Sequence, residues 1–532
     1  MNRKVIACLL ALFLTLSVLP VLAEDANIVR IGMGYDPNTL DYAEVNLDSA
    51  NFVIEATAET LIRDIGNDEY VPGLAESWEK SEDAKTWTFH LREGLTYQDG
   101  ETPITAEDFR YNLMRTIDPE AAHGNASFFI AGALAYYEGE GTAEDVGVKV
   151  IDDYTIEYTF ENPAYESTFT SVSLFGALEQ AYVEQYPETW GASAEAYLAN
   201  GPYMVKEWVS DASVSLVKNP AYYHPSLATL DEIRVIVGAT GDTGVDMMLA
   251  GELDIADFTK PQQIQTLTDA GFEVKFDYIE SYQGINVNHA GKTEETGKFL
   301  GNANFLTALN LALNREAMVL SVRQGEIPAN RLTAPSEAAY AANPDYEAWP
   351  TAGDPALAKE YLDKALEELG VTLDEVPTFG LMCFEAQGSI DTLAVVQDMW
   401  LQTLGIKTEI EAVTIQVMIG NAMSGQYDFW LGGNSPSVPD ACESYLTGFT
   451  TANYTPLRGY SDPTFDALYN KTVAATSLEE RYANYAELEK YFCENVLGII
   501  TTWTVNYEIA PANYGNFYVT SGGNLNVSSL TK

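Results

Sequence analysis

Between Val376 and Val413 the chain spells out a strand, a helix and a second strand, and no other stretch restricts its fold as much. "VPTFGLMC" (376–383) is a short apolar run, and a helical segment follows from about Ile390 to Leu404, stopping at Gly405. "IKTEIEAV" (406–413) then alternates, with Ile406, Thr408 and Ile410 on one face and Lys407, Glu409 and Glu411 on the other. A crossover of that length returns its second strand parallel to the first, so an α/β architecture is predicted. Just upstream, Asp354 as N-cap, Pro355 at the first helical position and Gly370 past the end bracket another helix, striped by Ala358, Leu362, Ala365 and Leu369. Downstream, a short helix near 415–424 leads to "YDFWL" (427–431), the next strand of the same sheet, and then to Gly432–Ala441. Loops beyond the carboxyl ends of such strands are where open α/β sheets bind ligands. Gly432 and Gly433 permit close approach there, and Asn434, Ser435 and Ser437 supply short donors and acceptors. An ordinary Gly/Pro turn fits the same residues equally well.

The first half mixes strands and helices. "IVRIGMG" (28–34) reads as a strand, and "TWTFHLREG" (86–94) alternates Trp87, Phe89 and Leu91 against polar neighbours. Thr105 and Asp108 stand at capping-box spacing before "FRYNLMRTI", which "DP" at 118 ends. "YTIEYTF" (154–160) is a further strand, and Met204–Trp208 and Ser213–Val217 form two more around a turn at Ser210-Asp211. "GATGDTG" (238–244) lacks the lysine of a phosphate-binding loop and reads as a turn into a helix.

At the N-terminus Arg3 and Lys4 precede an apolar run from Val5 to Leu19 and then Pro20-Val21-Leu22-Ala23, the pattern of an export leader over 1–23, cut before Glu24. "VIAC" (5–8) resembles a lipid-attachment signal at Cys8, but little apolar sequence precedes it, so a soluble exported protein is favoured and anchoring stays open. The full chain carries 78 acidic against 28 basic side chains, a formal charge of −50. Such a field repels nucleic acid and anionic membrane surfaces and favours neutral, zwitterionic or cationic partners. Dispersed carboxylates also simply keep an exported protein solvated. Beyond the leader, Cys383, Cys442 and Cys493 show no CxxC spacing, which leaves a zinc site unsupported and a disulfide unassigned.

Catalytic motifs are missing: the chain has no GxSxG, HExxH or EF-hand loop, and its four histidines stand singly. Carboxylate pairs abound without any one being singled out, so an extracellular hydrolase is the alternative from another class. No cofactor or metal is implied.

"VPGLAESWEKSEDAKTWTFHLREGLTYQDGETPITAEDFRYNLMRTIDP" (71–119) resembles the signature region of the family 5 extracellular solute-binding proteins, the dipeptide and oligopeptide receptors of ABC importers. The resemblance continues in order through "VGVKVIDDYTIEYTFENP" (146–163), "GELDIADF" (251–258), "ALNLALNREAMV" (308–319) and "YSDPTFDALYNKTVAATSLEERYANYAELEKYF" (460–492). It implies a two-lobed periplasmic-binding-protein-like fold of the cluster C type with an additional α+β domain. Lobe one would take 24–62, 175–280 and 499–532, the extra domain 63–174 and lobe two 281–498, with a hinge near Tyr282 and Ile499. The implied protein is a monomer at the periplasm or cell surface that binds a peptide without turnover, closes by a hinge, and serves a permease and ATPase complex. A glycoside, an opine-like compound or a chelated metal is the alternative solute.

Ligand-facing positions carried over by the resemblance are Tyr111, Tyr282, Gln283, Gly284, Asn434, Ser435, Ser437, Asp440 and Trp503; Tyr111 and Trp503 equally suit a core. Peptide-binding members place an aspartate where this chain has Ser437, so amine capture falls to Asp440 or is absent.

Overall fold

The computed structural model describes residues 27–532 apart from 46, 67–68, 120–128, 188, 336, 435–441, 452–460 and 521–523. The leader expected over 1–23, with Cys8, lies outside the described residues. Along the chain, β1 (Ile28–Met33) and α1 (Asp48–Thr57) come first, then β2 (Ala75–Lys80), β3 (Thr86–Leu91), α2 (Ala106–Thr116), β4 (Val148–Asp152) and β5 (Thr155–Thr159). Next are β6 (Tyr203–Val209), β7 (Ser213–Lys218), β8 (Glu232–Val237), β9 (Ala256–Phe258) and the long β10 (Phe272–Val287). The remainder runs α3 (Pro355–Leu369), β11 (Phe379–Phe384), α4 (Gln387–Leu404), β12 (Thr408–Val413), α5 (Ile415–Met423), β13 (Phe429–Asn434), α6 (Pro463–Val473), α7 (Leu478–Glu494) and the long β14 (Gly498–Pro511).

The helix signals work as their chemistry requires. The Asp354 carboxylate accepts from the Leu357 N–H at 3.0 Å, Pro355 opens α3, and Gly370 closes it at φ 67°. Asp108 accepts from the Thr105 N–H at 2.7 Å, completing the box that starts α2. Helix α4 starts at Gln387, one turn before the apolar periodicity begins at Ile390, because its first turn is half-buried or exposed and carries no apolar signal.

Three sheets of four or more strands result. In the first, β1 lies parallel to β8, which pairs antiparallel with β7 and through it with β6. Strands β2, β3, β5 and β4 make an antiparallel second sheet, whose inward Trp87 and Phe89 pack on Phe169. The third contains β9, β14, β10, β13, β11 and β12 in that order, with β11 parallel to both β12 and β13. The parallel crossover read from residues 376–413 is therefore present.

One difference concerns Gly432 and Gly433, which the sequence places in a loop. They are part of β13, paired with Gly284 and Gln283 of β10. A Cβ on Gly433 would stand 2.4 Å from the Tyr282 carbonyl oxygen, and one on Gly432 would stand 2.8 Å from Trp430 Nε1. The glycines let the chain approach itself.

Two large apolar cores organise these sheets. One gathers β1, β3, β7 and β8 with residues of 510–530; the other gathers Tyr282, Ile285, α3, β11, α4, α7 and Trp503. Strands β10 and β14 run antiparallel from one core into the other, with register shifts between Val274 and Phe276, Ile279 and Ser281, and Gln283 and Gly284. The three cysteines are free and buried, which answers the disulfide question.

Candidate functional site

A cleft of ≈ 2070 Å³ opens beside these crossing strands. One wall comes from the end of β1 at Met33–Tyr35 and from Ser49, Asn51 and Glu55 of α1. Strand β14 supplies Asn506 and Glu508, whose i, i+2 spacing puts both side chains on the cleft face, while Val505 is buried and Ile509 packs in an apolar cluster. Thr447, Tyr469 and Arg481 reach in from the second core. At that end the two halves touch directly: the Tyr165 hydroxyl donates to the Ala475 carbonyl at 2.7 Å, and the Arg481 guanidinium sits 5.4 Å from the Tyr165 ring.

Carboxylates dominate the electrostatics. Burial, with Asp64 and Glu59 nearby, pushes the Glu55 carboxyl up to about 8, although Asn524 donates to it at 3.3 Å. Burial also raises Glu59, opposed by the Arg63 charge and by the Tyr222 hydroxyl that donates to it. Glu508 is raised well above the carboxylate range, first by burial and then by Asp257, its directly registered neighbour on β9. Among the described residues no group of three or more metal-ligating side chains gathers, and no helix is long and apolar enough to cross a membrane. What such a cleft can do is enclose a solute and meet it with hydrogen-bonding and anionic groups.

The bacterial extracellular solute-binding proteins, family 5 Middle, match residues 69–456. The chain belongs to this family. It is 28% identical over 483 residues to the oligopeptide-binding protein OppA of Bacillus subtilis (strain 168), covering 88% of this chain and 86% of that one. Its fold is that of the unliganded open form of the periplasmic murein tripeptide binding protein MppA, with a TM-score of 0.76, 21% identity, and coverage of 95% and 97%. The Haemophilus influenzae OppA complex with RPPGFSPFR aligns with a TM-score of 0.72 at 23% identity, over 95% of this chain and 99% of that one. The fold is thus the two-lobed mixed α/β fold of those binding proteins.

In this family 5 chain the residues carried over by resemblance fall into separate places. Tyr282 and Trp503 face each other in register on β10 and β14 and are 4% and 3% exposed. The Tyr282 ring meets Tyr445 edge-on at 5.3 Å, and Trp503 Nε1 donates to the Leu332 carbonyl at 3.0 Å. Gln283 is half-buried, Gly284 is held between Gly432 and Ile500, and Asn434 ends β13 opposite Tyr282. The structure therefore brings Tyr282, Gln283, Gly284, Asn434 and Trp503 together on three adjacent strands. Tyr111 lies apart on α2, half-buried against the first core. Ser435, Ser437 and Asp440 lie outside the described residues. Tyr111, Tyr282, Gln283, Gly284 and Trp503 do not line the cleft, whereas Glu55, Asp257, Arg481 and Glu508 do. Only Glu508 had a legible signal: it is the one charged residue in the apolar run "IITTWTVNYEIAP".

Proposed function

We propose that this protein is the exported receptor of an ABC importer: it takes an oligopeptide or dipeptide between its lobes, closes over it, and delivers it as a monomer to a permease and ATPase complex. The lobes are assigned as 24–62 with 175–280 and 499–532 against 281–498, with 63–174 an added domain and the bend where β10 and β14 cross. The observation that carries this is the cleft of ≈ 2070 Å³ with groups from both cores on its walls. That is about twice the upper end of ordinary small-molecule pockets, ~1,000 Å³, and leaves room for several residues of peptide. The name of the Bacillus subtilis relative and the peptide in the Haemophilus influenzae complex support the same solute class. Ligand contacts made by both lobes stabilise the closed state over the open one. Asn434, in strand register with Tyr282, and Ser435, Ser437 and Asp440 after it in the sequence are kept in this reading as solute contacts.

Mass spectrometry of ligand released from protein purified without refolding, paired with small-angle scattering, tests this reading. Peptide masses and a smaller radius of gyration on rebinding are expected. An unchanged radius with proven binding, or conversion of the peptide to products, would overturn it. For Asp440, a free peptide should bind about tenfold or more better than its N-acetylated form, and Asp440→Asn should abolish the difference, since a buried ammonium needs a partner. Equal binding of both forms removes amine capture at this position.

A further inference from the structure

Glu508 stands near the C-terminal end of β14, between Asp257 of β9 on one side and Phe276 of β10 on the other. Its side chain belongs to the cleft wall, yet the residue is only 3% exposed. Among the described residues no hydrogen bond or ion pair reaches its carboxyl, and no described cation acts on it; the one neighbouring charge is the carboxylate of Asp257. A buried acid with no donor is costly, and such groups in folded proteins are nearly always satisfied by something. The neighbouring surface says what that something is. Phe276, the cross-strand partner of Glu508, packs edge-on against Phe517 at 5.1 Å, and Phe517 also lines the cleft, so aromatic side chains belong to the same region of the wall. Asn506, two residues back along β14, lines the cleft on the same side. A carboxylate pair beside aromatic rings suits an ammonium or guanidinium on an aliphatic stem, which gains charge pairing, ring contact and stem burial together. Two carboxylates alone are a poor set for a hard divalent cation, which takes six or more oxygens or keeps several waters.

We propose that Glu508, with Asp257 across the strand pair, forms a cation subsite in the cleft that takes an ammonium or guanidinium group of the bound solute. The proposal rests on the peptide-receptor reading for its ligand, but the subsite has its own test. Full-length mature protein is titrated calorimetrically with alanine pentapeptides in which one lysine is moved through the five positions, and with a matched norleucine set. At one position or more, lysine is expected to bind at least about tenfold more tightly than norleucine, with the preference lost in Glu508→Gln and reduced in Asp257→Asn. If instead lysine and norleucine bind alike but N-acetylation and Glu508→Gln each weaken both sets equally, the occupant is the peptide's α-ammonium and the subsite stands. A side-chain preference that survives Glu508→Gln, or its absence together with unchanged binding by Glu508→Gln, overturns the subsite while leaving the receptor reading intact. If none of these pentapeptides binds, agmatine at millimolar concentration decides the subsite alone. A higher melting temperature in wild type but not in Glu508→Gln supports it, and equal responses overturn it. Melting curves without ligand confirm that Glu508→Gln, a near-isosteric change, is folded.

Discussion

Arg331 and Glu489 are both 0% exposed and pair inside the second core. The carboxylate also accepts from the Thr333 N–H at 2.7 Å, while the guanidinium donates to the Asn343 carbonyl at 2.7 Å and lies 4.4 Å from the Tyr340 ring. With its partners complete the pair costs little, but removing one member leaves a buried charge. Glu489→Ala is expected to lower unfolding stability by about 3–5 kcal/mol, and Arg331→Met with Glu489→Leu to recover most of it. Urea denaturation of the three proteins reads this. Glu55 behaves differently, because its folded carboxyl titrates near 8, above its ordinary value of 4.5. The folded state then binds more protons than the unfolded state across that window, so stability falls as pH rises from about 5 to 8. Glu55→Gln is expected to remove that slope and to raise the melting temperature at pH 8 by a few degrees, with little change at pH 5. Thermal melts at the two pH values decide it; an unchanged slope would remove Glu55 as its source.

At the scale of elements, local signals were readable and long-range ones were not. Asp354, Pro355 and Gly370 fixed both ends of α3 because capping depends on residues within one turn. Likewise the parallel pairing of β11 with β12 follows from the length of the connection. By contrast, β13 extends to Asn434 because β10 lies beside it, and nothing within residues 427–441 announces that partner. For the same reason the cleft acids went unseen: Asp257 and Glu508 are 251 positions apart and meet only through strand register. Family resemblance pointed to the sheet around Tyr282 and Asn434, but Trp503 spends its ring and N–H on packing. The close approach at β13 gives its own prediction. Gly433→Ala puts a Cβ 2.4 Å from a carbonyl oxygen that is held in the sheet. It is expected to destabilise by about 1–3 kcal/mol, the range for overpacking, in the same denaturation assay.

Across the whole molecule the formal charge of −50 acts over longer distances than any single contact. A field of that sign raises the encounter rate of cationic solutes and is screened by salt, with a Debye length of about 10 Å at 0.1 M. Glu508 sits inside the cleft wall, where a bound cation is shielded from that screening. The two effects therefore belong to different rate constants. For a lysine pentapeptide that prefers the subsite, stopped-flow association should slow markedly between 10 mM and 0.5 M salt, while its norleucine counterpart changes little. Dissociation should be nearly independent of salt for both. Glu508→Gln alters one buried acid among the 78 acidic side chains, so it should leave association within about twofold and speed dissociation of the lysine peptide by roughly tenfold or more. If the variant instead slows association and leaves dissociation unchanged, Glu508 contributes only to the general field, and the cleft holds its cation elsewhere.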